Sequence, residues 1–233
     1  MTTAPTPALP FPVTPRRPGE PEPDLFGFRL IHRTLRSGCR LLADATTAVA
    51  AGEACPPARR DAIAGFAGNV LQEVTTHHQR EDDVLWPVIA ASAGAQVDLE
   101  PLADDHTALH AVLERTEAAL ARFAADGPSA AAPLAALLTE LADELDEHIA
   151  DEEAEVFPVI TRHVSARDYE RCEASFRKGA SLRHSLFVVN WALDQCDPAE
   201  AATLLASAPA PLRLLVRLTA PGWRSRRDLV RGP

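Results

Sequence analysis

Two stretches of this chain repeat one pattern: HHQREDDVLWPVI from His77 and HIADEEAEVFPVI from His148 share a histidine, a glutamate four residues on, a proline and a closing Val-Ile. The pairs His77/Glu81 and His148/Glu152, and a third pair His106/His110, have the i,i+4 spacing that puts both side chains on one face of a helix. His32 stands alone on an earlier segment. One such pair on a surface is worth only a few tenths of a kcal/mol and means little. Five imidazoles and two carboxylates buried together without partners would cost several kcal/mol per group unless a cation compensates them. Mixed nitrogen and carboxylate donors suit iron, manganese or zinc, and carboxylates shared among several imidazoles can bridge two ions. Two anions nearly balance two ferrous ions with one hydroxide, so a di-iron centre is the expected tenant.

Long amphipathic helices must position these groups. Asp24 is a plausible N-cap for a first helix to about Val49, with Leu25, Phe28, Ile31, Leu35 and Leu42 spaced for one apolar face. A second is expected from about Ala58 to Ala91, kinked or shortened by Pro87. A third ends near Ala125 before the break DGPS, where Ser129 is available as a cap, and a fourth reaches about His163. Short breaks between four such helices describe an all-α, up-down-up-down bundle. In that topology the start of helix one, end of two, start of three and end of four lie together. At 1.5 Å per residue, His32, His77, His106 and His148 then all fall roughly 10–20 Å from one end of the bundle.

With the residues so placed, the chain resembles the hemerythrin-like (HHE cation-binding) family, whose members carry His, His-x-x-x-Glu, His-x-x-x-His and His plus carboxylate on four successive helices. The similarity spans roughly residues 25–165. It implies a non-haem centre of two Fe ions, bridged by carboxylates and an oxo or hydroxo group, with one position open to dioxygen, nitric oxide or peroxide. By position the metal ligands would be His32, His77, Glu81, His106, His110, His148 and Glu152. The family's oxygen carriers place the last carboxylate five residues after its histidine, where this chain has Glu153. Glu152 is preferred because it matches Glu81 in the repeat, with Glu153 as its rival. Ferritin-like bundles, which use Glu-x-x-His on paired helices, do not fit.

Other histidines are set aside. His78 is turned about 100° from His77, and a register pairing it with Asp82 breaks the repeat. His163 lies too far along its helix, and His184 belongs to the C-terminal segment in a packing role. Arg36 should turn outward or meet an acid. Asp82, Asp83, Asp151 and Glu153 could accept from imidazole N–H groups, while Trp86, Phe157 and Trp191 read as core.

The 233 residues divide into a proline-rich arm (1–23), the bundle (24–165) and a helical extension with a basic tail (166–233) expected to dock on the acidic bundle. A net charge of −10 disfavours nucleic acid, which needs a basic face. Four cysteines without Cys-x-x-Cys spacing read as free thiols, and no apolar run approaches a membrane span, so a cytoplasmic location is expected. Two functions use the same residues: a protein that binds dioxygen or a related small molecule for sensing or storage, and an oxidoreductase removing peroxide or oxidising a small substrate. The second needs a larger cleft with polar anchors, which the extension could build. Small-molecule ligands are the expected partners.

Overall fold

The computed structural model describes residues 9–233; the first eight residues of the proline-rich arm lie outside it. Four long antiparallel helices form the bundle. They are α1 (Phe26–Ala50), α2 (Pro57–Arg80) with its continuation α3 (Trp86–Ala93), α4 (Glu100–Asp126) and α5 (Ala131–His163). The described residues contain no strand. Helix α1 packs on α5 and α2, and α4 packs on α2 and α5, closing the ring. The Asp24 carboxylate accepts from the Phe26 N–H at 2.9 Å, satisfying one amide of the first turn. Gly127, in the left-handed region at φ 71°, turns the chain between α4 and α5. Ser129 does not cap α5; its hydroxyl donates back to the Asp126 carbonyl.

The expected single helix across residues 58–91 is interrupted by a π turn at Glu81–Leu85, closed by the Trp86 N–H on the Glu81 carbonyl. One extra residue in the turn absorbs the proline that follows. It also lets Leu85, Trp86, Val88 and Ile89 all be buried.

Beyond the bundle come α6 (Ala166–Phe176), α7 (Leu182–Leu193), α8 (Pro198–Ser207) and α9 (Ala210–Arg231). Phe187, Trp191, Trp223 and Val230 of α7 and α9 belong to the same apolar core as Leu35, Phe66 and Leu138 of the bundle. The basic tail docks through these apolar residues, and its Arg227 pairs with Asp194 at the end of α7 rather than with an acid of the bundle. The described part of the proline arm is strapped down. The Thr14 N–H donates to Asp168 at 2.7 Å, the Arg16 N–H donates to the His163 carbonyl at 2.8 Å, and Phe11 lies under the Arg171 guanidinium.

Gly38 is where α7 meets α1 most closely: the Trp191 ring occupies the space a β-carbon there would need. Gly38→Ala should therefore destabilise the protein by about 1–3 kcal/mol, the usual cost of overpacking a rigid core. Thermal melting would register this as a lower Tm together with altered tryptophan emission. An unchanged melt would mean that Trp191 is not seated there.

Candidate metal centre

Each helix delivers its donors to one layer of the bundle. His32 of α1, His77 of α2, Glu81 of the π turn and Glu152 of α5 form one buried group, and His78, His106 and His148 form a second. Within each group, one ligand atom from every residue lies within 4.8 Å of the others. That matches the spread of donors around a single cation with bonds of about 2.1 Å. The two carboxylates face both groups. Glu81 has Oε1 2.9 Å from His77 Nε2 and Oε2 3.6 Å from His106 Nε2. Glu152 Oε2 is 3.3 Å from His32 Nε2 and 3.9 Å from His148 Nε2.

His110 is not among them, contrary to expectation. Its side chain is 61 % exposed and lies 3.5 Å from Glu114. The buried stripe of α4 explains this: measured from His106, Leu109 and Leu113 lie about 60° and 20° to one side, and His110 about 40° to the other. His78 takes the fifth imidazole position. Around α2 the core face centres on Val74, and His77 and His78 flank that direction by about 60° and 40°. His77 meets Phe28 and His32 of α1, while His78 meets His106 of α4 and His148 of α5, so helices on both sides bury the two rings. Each then points into a different group.

The outer nitrogens of His32 and His106 are held by carboxylates at the rim. Glu153 accepts from His32 Nδ1 at 2.9 Å and Asp82 from His106 Nδ1 at 2.8 Å. Asp105, which no sequence signal singled out, stands 3.7 Å from His148 Nδ1. Glu153 is thus a partner of a histidine, while Glu152 is fully buried in the centre. Such contacts fix which nitrogen is free to ligate. Phe157 stacks on His32 at 5.8 Å, and Trp86 on His106 at 6.0 Å. His163 is half-buried at the far end of α5, and Arg36 reaches the Asp146 carbonyl. His184 bonds Glu73 at 2.6 Å.

Among the described residues, Nε2 of all five clustered histidines and every carboxylate oxygen of Glu81 and Glu152 are buried without a hydrogen-bond partner. The short His77–Glu81 contact is oriented so that it makes none. At about 1–3 kcal/mol for each such atom, these orphans would consume the whole stability of about 5–15 kcal/mol of an ordinary domain. Bound cations remove that cost, and the nitrogen and oxygen donor set suits them.

Burial, reinforced by the neighbouring imidazoles, drives the pKa of His77 and His78 well below 6.5, so both rings are neutral at neutral pH. His148 is lowered by burial too, against the pull of Glu152. In His32 burial is outweighed by Glu152 and Glu153, and the pKa rises. Burial and the Glu152 charge push the Glu81 carboxyl well above its usual range.

The hemerythrin HHE cation binding domain matches residues 27–160, more than half of the chain and all seven residues of the two buried groups. The chain belongs to this family. No curated protein and no solved structure matches it. The HHE domain therefore supplies a cation site, and the buried orphan atoms agree with it. No helix among the described residues is long and apolar enough to cross a membrane.

Proposed function

We propose that this HHE protein holds two iron ions. His32 and His77 would bind one and His78, His106 and His148 the other, with Glu81 and Glu152 shared between them. The observation that carries the reading is the set of inward-facing orphan atoms, divided into two groups, with both carboxylates in the first and each within 4 Å of a histidine of the second. Iron would supply Lewis-acid and redox chemistry toward dioxygen, nitric oxide or peroxide. The protein's own part is positional. Glu153 and Asp82 hold their imidazoles with Nε2 inward, and Phe28, Phe157 and Trp86 keep water from the rings. With both carboxylates shared, the two-histidine ion would have four protein donors against five, so it would be the end with room for an external ligand.

A second reading, turnover of a small substrate, is favoured by one observation: a cavity of about 250 Å³ reaches His77 and Glu81, far larger than a diatomic needs. Iron analysis with optical spectra before and after air exposure tests both. Two irons per chain with a persistent oxygen-dependent spectrum support binding, whereas rapid bleaching with product release supports turnover. Protein from iron-replete cells that contains no iron, or that prefers zinc, would sink both.

A further inference from the structure

The cavity beside the two-histidine group is built only in part by the family domain. Its floor is His77 and Glu81, and Gly27, Phe28 and Leu85 form one wall. The opposite wall is Tyr169, Glu173 and Phe176 of α6 and Val188 of α7, all beyond the matched residues 27–160. The same bundle without these helices would leave that floor facing solvent. The extension thus converts an open approach into a chamber.

The chemistry of the chamber narrows what it takes. Engineered apolar cavities of about 150 Å³ hold benzene, so about 250 Å³ accommodates a substituted ring. The rings of Phe28, Tyr169 and Phe176 and the aliphatic groups of Leu85 and Val188 offer an apolar lining with few polar anchors, the usual character of a small-molecule site. Its charges come as opposite neighbours. Arg80 is paired to Glu73 at 3.0 Å, and Arg177 lies beside Glu173. Glu81, the remaining charged group of the lining, faces His77 and His106, and with both arginines beside carboxylates no free positive charge is left to recognise an anion. Tyr169, 3 % exposed, and Glu173 supply hydrogen-bonding groups to a hydroxyl or carbonyl.

We propose that this chamber binds a small neutral organic molecule with a ring-sized apolar body and one hydroxyl or carbonyl group, and that α6 and α7 select it. Its relevance to the centre rests on the two-iron reading; the binding itself does not.

Phenol is a suitable probe, titrated calorimetrically into the full chain as purified and after removal of metal. Saturable binding is expected in both forms, in the range of about 10 μM to 1 mM that so small a ligand can reach. Val188→Phe and Gly27→Leu should each weaken it at least tenfold by filling the chamber, with iron content unchanged. Gly27 lies in the first turn of α1, where a leucine raises helix propensity, and its β-carbon would meet only the end of the Glu173 side chain. That variant therefore keeps the test decisive if Val188→Phe fails to fold. No saturable phenol binding by the unaltered chain, or equal affinity in the folded filled variants, overturns the proposal. Phenol binding without iron would spare the chamber and remove the two-iron reading; iron without phenol binding would do the reverse.

Discussion

His78→Ala should leave the protein with about one iron per chain in place of two, while His110→Ala keeps both. In the three-histidine group, His78 faces His106 at a ring separation of 4.4 Å and His148 at 5.2 Å. Its loss leaves that ion two imidazoles and the shared carboxylates, while the group containing His32 and His77 keeps every donor. His110 is a solvated residue near Glu114, and its replacement should move stability by no more than about 0.5 kcal/mol. Iron analysis of the two variants side by side decides the assignment. A loss of iron in His110→Ala with none in His78→Ala would restore the family's usual third-helix pair and break the grouping described above.

Glu81→Gln should have the larger effect, because one carboxylate reaches both groups. Both ions lose a donor, and iron is expected to fall below one per chain. The metal-free protein responds in the opposite direction. The Glu81 carboxyl titrates well above its ordinary 4.5. Its contribution to folding is therefore complete below that value and lost as pH rises through the raised one. Once the pH exceeds that raised value the metal-free chain carries an unpaired buried charge, and Glu81→Gln removes it, with an expected gain of about 1–3 kcal/mol. His77 and His78 work the other way: their pKa values are depressed, so their share is present above 6.5 and lost as pH falls below it. Melting curves of metal-free protein between pH 5 and 9 should show stability falling at both ends, with the alkaline fall reduced in Glu81→Gln. An alkaline fall as steep in the metal-free Glu81→Gln variant as in its parent would mean that the Glu81 charge is already satisfied.

The bundle and most of its inward donors were legible in the sequence because they depend on spacing within single helices. The shared face of His77 with Glu81 and of His148 with Glu152 follows from 3.6 residues per turn, and the matched depth of His32 and His106 from the 1.5 Å rise per residue. His78 was not legible. Periodicity gives the angle between neighbouring side chains, but the width of a buried face depends on the helices beside it, and here α1 covers His77 while α4 and α5 cover His78. His110 was misplaced for the converse reason, since α4 turns a narrower stripe inward. The π turn at Glu81–Leu85 and the Asp105 contact depend on how α2 and α4 meet, which no local pattern carries.

Trp191 in the notch at Gly38, with Phe187 and Trp223 beside it, makes the last third of the polypeptide part of one oily interior with the first two. A fragment trimmed to the boundaries of the matched domain would bare Phe66 and its neighbours along a whole flank. Such a piece would clump rather than behave as a minimal iron protein. Expression of any shortened version should keep the carboxyl-terminal helix, and swapping this extension onto a relative would require re-cutting the flank that receives it.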